Sequence, residues 1–263
     1  MKIGVLLKQV PDTETRIKIK SDASNIETAD IKFIINPYDE FAIEAAVKTK
    51  EANAGSEVVV FAVGPQNVQI HMRTAMAMGV DRGVHVMDDA LNTADSLGVA
   101  RAIAAALKAE GIEIAFSGSR AIDDDMQAVG VMAAEILGWA AVQAAGGFEL
   151  SADKTSATVK RRVGGGAVEV VEATLPAIIG CDWKMNEPRF ASLPGIMKAK
   201  TKPLVVKKLA DLGVDAGGVA GRVTLGGFSL PQERGAVKMI KADSPEAAAA
   251  QLVQALRNEA KVI

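Results

Sequence analysis

The turn Ser117-Gly118-Ser119-Arg120 runs into Ala121-Ile122-Asp123-Asp124-Asp125 and on into a helix-forming run ending at Leu137. Free backbone N–H groups at such a helix start, with the positive dipole end behind them, suit a phosphate. Two further turns have matching character. Lys8-Gln9 follows the apolar run from Ile3, and Gly64-Pro65 follows Val58–Val63. Glycine at 64 and 118 lets a ligand approach the backbone closely. In an open parallel sheet, ligands sit outside the C-terminal strand ends, so these turns predict a mononucleotide pocket. Asn36-Pro37 joins it if the preceding segment returns to the same edge. The alternative stays open at this level: Gly64 and Gly118 are ordinary turn glycines, and Asp125 only caps a helix.

Other chemistries find little support. There is no Gly-x-x-x-x-Gly-Lys-Ser/Thr loop and no Gly-x-Gly-x-x-Gly after the first strand. Gly164-Gly165-Gly166 reads as a hairpin turn. Asp123-Asp124-Asp125 has the oxygen ligands for Mg²⁺, although such runs are more often solvated, with one carboxylate capping. One Cys (Cys181) and two His (His71, His85) leave no cysteine-rich metal site, no disulfide framework and no nucleophile–base pair. Both histidines read as structural. No self-contained catalytic site is visible, and no metal is expected.

Lys and Arg (30) nearly balance Asp and Glu (32), so electrostatics gives no argument for nucleic acid as a partner. The hydrophobic fraction of 49% is that of a globular chain, with the core left to aliphatic residues because aromatics are only 4%. No apolar stretch has the ~20 residues of a membrane span. The expectation is a soluble protein, cytoplasmic in a bacterium or in the mitochondrial matrix of a eukaryote.

Strand-like and helix-like runs alternate. Strands are expected at 3–8, 58–63, 84–87 and 112–116. Helices are expected from about 39 toward Gly55, over 66–78 with Gly79 as C-cap, over 95–110 ended by Gly111, and over 125–137 ended by Gly138. Ile17–Lys20 and Lys32–Ile35 read as a small hairpin around 21–30. This order predicts an α/β fold, a parallel sheet with helices on both faces. After Gly146 the texture becomes antiparallel, with strands at 148–150, 157–162 and 168–172, and 176–181 returns as a core strand. Residues 182–204 show no steady period. Six glycines between 213 and 227 read as an extended arm, and Ser244-Pro245-Glu246 starts a terminal helix. The division drawn is 1–206 for the α/β domain, with hairpins around 146–173 and a loop at 184–203, and 207–263 for a C-terminal arm and helix.

Residues 186–200, Asn-Glu-Pro-Arg-Phe-Ala-Ser-Leu-Pro-Gly-Ile-Met-Lys-Ala-Lys, match a long family signature. Val5–Val10, Asn36-Pro37, Val63-Gly64-Pro65, Ala75–Gly83, Ala121–Asp125 and Leu209–Val214 match in the same order. Over essentially its whole length the chain resembles the beta subunit of electron transfer flavoprotein. The resemblance implies an adenine nucleotide alpha-hydrolase-like (Rossmann-like) fold. It also implies a heterodimer with an alpha subunit that holds most of the FAD, and one AMP buried in the beta subunit as a structural ligand. The complex would take electrons from flavoprotein dehydrogenases, such as the acyl-CoA dehydrogenases of fatty acid beta-oxidation, and pass them to a membrane electron transfer flavoprotein–quinone oxidoreductase. The chain itself would be a carrier subunit, not an enzyme. By position, Leu6, Asn36, Val63, Asp123, Asp125, Gln127, Ala128, Val129, Gly130 and Val131 would line the AMP site, and Thr13 would lie near FAD. The segment 184–203 would be the recognition loop, with Leu193 inserted into the dehydrogenase among Ile196, Met197, Lys198 and Lys200; Lys202 flanks them. An apolar anchor ringed by cations suits a pocket with an acidic rim.

Three departures bear on this. Ala128 and Val129 replace polar residues that grip phosphate in AMP-binding members. Thr13 stands where a tyrosine often lies near the flavin. Arg161-Arg162 stands where many members have Arg-Glu, and the glutamate serves an inter-subunit ionic contact. A bifurcating relative with a second FAD in place of AMP therefore remains an alternative, as does a stand-alone nucleotide-binding regulator of similar fold.

Overall fold

The computed structural model describes residues 1–233 and 235–263. Its elements, in chain order, are β1 (Lys2–Leu6), β2 (Gln9–Pro11), β3 (Phe33–Ile35), α1 (Pro37–Ala52), β4 (Glu57–Val63), α2 (Val68–Met78), β5 (Arg82–Val86), α3 (Ser96–Glu110) and β6 (Ile114–Gly118). Then follow α4 (Val129–Leu137), β7 (Ala140–Leu150), β8 (Ser156–Arg162), β9 (Val168–Thr174), β10 (Ala177–Cys181), α5 (Leu193–Ala199), β11 (Leu204–Lys207) and α6 (Pro245–Ala255).

Nine strands form one sheet in the order β11-β5-β4-β1-β6-β10-β7-β8-β9. Pairing is parallel from β11 through β7, and antiparallel only for β7–β8 and β8–β9. Alternation along each strand divides the core. Ile3, Val58, Val60, Ile114 and Ile179 face the layer of α1 and α2, with Ile43, Met72 and Met76. Val59, Phe61, Ala115 and Ile178 face α3 and α4, with Ile103, Leu107 and Ala133. This is the α/β architecture expected, with helices on both faces. From β1 the chain steps outward through β4 and β5, then returns through α3 to β6 on the other side of β1. The strand order therefore reverses between β1 and β6, and the crevice of such a fold opens at their C-terminal ends. Among the described residues, no helix is long and apolar enough to cross a membrane.

Several local expectations are corrected. Lys32–Ile35 does not pair with Ile17–Lys20. Phe33–Ile35 pairs with Gln9–Pro11, and Ile19 keeps a single bridge to Ile26. The helix expected from Asp125 begins at Val129, because Asp125 (φ 52°) and Gln127 (φ 54°) adopt left-handed backbone that no helix tolerates. β7 starts at Ala140, well before the expected Phe148, because its first residues pair parallel with β10. Leu193–Ala199, read as aperiodic, is a short helix capped by Ser192, whose hydroxyl accepts from Gly195 N at 3.1 Å.

The glycine-rich stretch from 213 is not wholly an extended arm. Val219 is buried, Arg101 donates to the Gly218 carbonyl, and a Cβ on Gly98 of α3 would overlap the Val219 carbonyl. Met1–Gly226 and Gly227–Ile263 form two compact units. In the second unit α6 starts as the sequence indicates, with Ser244 accepting from Ala247 N at 3.2 Å and Pro245 in the first turn.

Helix propensity alone gives Gly98→Ala a gain of up to about 1 kcal/mol. Packing against Val219 reverses the sign. We expect the substitution to destabilise the chain by about 1–3 kcal/mol in urea unfolding; an unchanged or raised midpoint would contradict this account of residues 213–221.

Candidate functional site

The ends of β1 and β6 are joined by a buried carboxylate. Asp39, in the first turn of α1, accepts from Lys8 N at 2.7 Å through Oδ2 and from Gly118 N at 2.9 Å through Oδ1. Asn36 Nδ2 donates to the same Oδ1 at 3.1 Å and to the Arg120 carbonyl at 2.8 Å, and Ile122 N donates to Asn36 Oδ1 at 3.3 Å. Burial pushes the Asp39 carboxyl up to about 7, against the pull of its hydrogen bonds. It also pushes the Cys181 thiol, beside Asp39, well above its usual range. Sequence reasoning named Asp39 only as a helix start. Its one local signal was an acidic residue in the first turn after Asn-Pro.

The three aspartates of the loop are engaged by cations. Lys8 Nζ lies 2.8 Å from Asp123 Oδ1 and 2.8 Å from Asp124 Oδ2. Burial opposes the Lys8 charge, but the two aspartates outweigh it and raise the pKa. Arg120 pairs with Asp125 at 3.3 Å, its guanidinium 5.8 Å from the centre of the Tyr38 ring. The carboxylates that Mg²⁺ would require therefore already serve to pin the loop.

The glycines have internal explanations. A Cβ on Gly118 would overlap Asp39 Oδ1 and approach Asn36 Nδ2 to 3.0 Å, so the space beside Gly118 belongs to the protein's own side chains. Gly64 has φ 145°, which disfavours any side chain, and a Cβ would meet Val68 at 3.0 Å. His85 Nε2 lies 2.8 Å from the Gly64 carbonyl and Nδ1 lies 3.2 Å from Gln69 Nε2. The carbonyl only accepts, so Nε2 carries the hydrogen. Burial lowers the pKa of both His85 and His71.

What remains open at the crevice is the start of α4. Ala128 offers no side-chain cap, which leaves the first-turn amides of Val129, Gly130 and Val131 to solvent or an anion. Ser117 Oγ and Ser119 Oγ are buried without a partner among the described residues. A Cβ on Gly130 would lie 3.0 Å from Ser117 Oγ, so glycine brings this helix close against β6. Unpartnered buried hydroxyls beside an uncapped helix start fit a polar ligand. Leu6 is buried and Val63 half-buried at the neighbouring strand ends, while Asp123, Asp125, Gln127 and Val131 are exposed. The Asn36 amide is spent on internal bonds. Thr13 lies in an exposed turn after β2. Two open depressions of about 400 and about 440 Å³ lie elsewhere, one around Asp12–Lys18 and one around Arg101, Ile136 and Trp139. Neither joins the crevice residues.

The second cluster is the segment before β11. Arg189 donates from Nε to Glu44 Oε2 at 2.7 Å and from Nη1 to Glu51 Oε1 at 2.6 Å, and Asn186 Nδ2 donates to the Phe41 carbonyl at 2.9 Å. At the other end Arg73 Nη1 donates to the Ala199 carbonyl at 2.7 Å. Lys202 Nζ donates to the carbonyls of Met76 at 2.9 Å and Val80 at 2.6 Å, so Lys202 is a fastening and not one of the free cations. Between these anchors Leu193 (74%), Met197 (60%) and Ile196 (44%) are exposed, as are Lys198 and Lys200. Phe190 is 98% exposed and extends the apolar face beyond the residues singled out from the sequence. Arg162 lies 3.7 Å from Asp182 and 5.7 Å over the Trp183 ring, while Arg161 pairs with Glu169 at 2.8 Å.

Glu44 is buried and takes its short ion pair from Arg189, with Lys48 farther off at 3.6 Å. Arg189→Met should cost about 2–3 kcal/mol in denaturant unfolding. It should also speed tryptic cleavage after Lys198 and Lys200, whereas unaltered cleavage would mean that the ion pairs do not hold this segment.

Comparison with known proteins draws these observations together. A model of the electron transfer flavoprotein domain matches residues 24–212. The chain is 39% identical over 263 residues, the full length of both, to electron transfer flavoprotein subunit beta of Bradyrhizobium diazoefficiens. It is 36% identical, again over the full length of both, to the mitochondrial subunit beta of Arabidopsis thaliana. With subunit beta of Mus musculus it shares 39% identity over 88% of this chain and 89% of the mouse protein. The chain belongs to the electron transfer flavoprotein family, in its line of beta subunits.

Proposed function

We propose that this chain is the beta half of a heterodimeric electron carrier. It pairs with an alpha subunit that holds most of one FAD, and it buries one AMP at the β1/β6 crevice. The bound FAD supplies the ring that takes up and releases electrons. The residues of this chain station it and dock its partners. Electrons come from flavoprotein dehydrogenases, such as those acting on acyl-CoA, and leave to a membrane quinone oxidoreductase. The chain has no substrate of its own and works in the bacterial cytoplasm, or in the mitochondrial matrix of a eukaryote. Residues 207–263, the C-terminal arm and helix, pack on the alpha subunit.

One observation carries the nucleotide reading: the buried, unpartnered Ser117 hydroxyl against Gly130 at the uncapped start of α4, with the Ser119 hydroxyl, also buried and unpartnered, two residues further along the chain. Amides of Val129, Gly130 and Val131 would receive the phosphate, and the hydroxyls would bind polar atoms of the nucleotide. Ala128 and Val129 supply no side-chain grip, so we expect the nucleotide to exchange more readily than where polar residues hold it. The same apolar pair favours a second reading, in which this site takes a second FAD. Counting cofactors in the purified heterodimer decides between them. We expect one flavin and one AMP. Two flavins without AMP would establish the second reading, and no nucleotide at all would end both.

The docking reading rests on the exposed apolar face of 190–197 held between fixed ends. Leu193→Ala should slow reduction by the partner dehydrogenase roughly tenfold, the worth of a modest interface hot spot. Flavin content should not change. Equal rates for variant and parent, measured as flavin bleaching in stopped flow, would remove Leu193 from the interface.

A further inference from the structure

Asp39 is 5% exposed, and its carboxylate takes all its hydrogen bonds from groups that only donate: Lys8 N, Gly118 N and Asn36 Nδ2. Gly118 N is the last amide of β6, and Lys8 N lies two residues past the end of β1. The third, Asn36, passes the restraint on to the backbone at Arg120 and Ile122. Lys8 closes the circuit, since its amide is held by Asp39 and its ammonium holds Asp123 and Asp124. The carboxylate has no room to turn aside, because Gly118 packs directly on Oδ1.

We propose that Asp39 is a positioning residue for the mononucleotide site, its carboxylate fixing the ends of β1 and β6 and, through Asn36 and Lys8, the course of 119–128, so that nucleotide affinity follows the charge on Asp39. This rests on the nucleotide reading above and extends it to pH dependence. Protonation removes the negative charge that strengthens all three bonds, and a hydrogen on Oδ2, which accepts only from Lys8 N, leaves the Asp39 oxygens weaker acceptors, so the three bonds weaken together. The carboxyl titrates near 7, and the change falls in the neutral range. The ionisable groups around it act as follows. Lys8, at the end of β1, favours the charged form. The Cys181 thiol on β10 is kept neutral by burial and by Asp39 itself. Arg120, beyond β6, is paired with Asp125. On α1, the Glu40 carboxyl beside it is raised by burial.

Fold stability responds with the opposite sign. A carboxyl whose folded pKa is raised from 3.8 to about 7 contributes stability that is full below the lower value and is lost as pH rises through the upper one. Acidification from pH 8 to 5 therefore favours the folded chain at this residue while it loosens the loop. Loss of affinity with gain of stability separates positioning from simple structural damage.

The test uses the purified heterodimer, stripped of nucleotide, with AMP as the probe. AMP binding to the parent and to Asp39→Asn is titrated calorimetrically between pH 8 and 5.5, the variant absorbing the protonation of AMP itself. The parent should lose roughly tenfold more affinity than the variant over this interval, about one pKa unit of coupling. The variant should bind weakly throughout. Without nucleotide, exchange protection of the Lys8 and Gly118 amides, corrected for intrinsic rates, should fall with pH in the parent. The melting temperature of the parent relative to the variant should rise. Identical pH profiles for AMP in parent and variant would overturn the proposal alone, and so would amide protection in the parent that does not change with pH. Absence of AMP binding by the parent at pH 8 would overturn the nucleotide reading and this proposal with it.

Discussion

A sheet covered by helices on both faces satisfies its backbone along the strands but not at their ends, where amides emerge into a buried setting with no next strand to receive them. In this fold that problem is most acute between β1 and β6, the two strands at which the order reverses. The sequence meets it with a single acceptor on the first turn of α1. Placing Asp39 there requires glycine at 118, because a side chain would occupy the space of the carboxylate. It also requires Asn36 to turn its amide inward, and that amide then fixes the chain leaving β6. A glycine and an asparagine that look like ligand contacts from the sequence are in this way bound into an internal frame, together with an aspartate that the sequence shows only as a helix start. The proposed site is narrower: the Ser117 hydroxyl on β6, the Ser119 hydroxyl just past it and the amides of one helix start.

The legible part of the sequence was the part governed by local rules. Val58–Val63 is a buried strand because six apolar residues run together between turn formers. Gly79, Gly111 and Gly138 mark helix ends because each supplies the positive φ that a C-cap requires. The misread parts were settled by partners far away in the chain. Phe33–Ile35 pairs with Gln9–Pro11, too short a run to register as a strand. The start of β7 is extended because β10, more than thirty residues later, lies beside it. Asp125 resembles a helix cap, yet its neighbours Asp123 and Asp124 are drawn to Lys8 at the opposite end of the domain sequence. Glu44 and Arg189 are separated by 145 positions, and nothing local announces that one is buried against the other. The family resemblance marked out residues 184–203, but their helical part and the fastening role of Lys202 came only from packing.

The segment around α5 shows how a small helix can present apolar residues to solvent without collapsing onto the body of the protein. Its base is fixed by charge-assisted bonds at both ends, from Arg189 to α1 and from Arg73 and Lys202 around the end of α2. Ordering cost is thereby met within the folded chain, and less remains to be lost when a partner arrives. Gly195 allows α5 to lie close against the Ala77 carbonyl, where a Cβ would stand 2.5 Å away. The face opposite that contact is the one left bare.

The two margins of the sheet differ in a way that matters for handling the polypeptide. β11 follows Pro203 and ends at Lys207, with Lys208 next in the chain, residues that discourage further strands from adding on. β9 has no proline, and its outward Val168 and Val170 are 54% and 68% exposed. This seven-residue margin carries three valines, and the charges on it that oppose cross-β growth are Glu169 and Glu172. Precipitation of the solitary polypeptide would start along β9, and charged replacements at Val168 and Val170 are the natural route to keeping it dispersed.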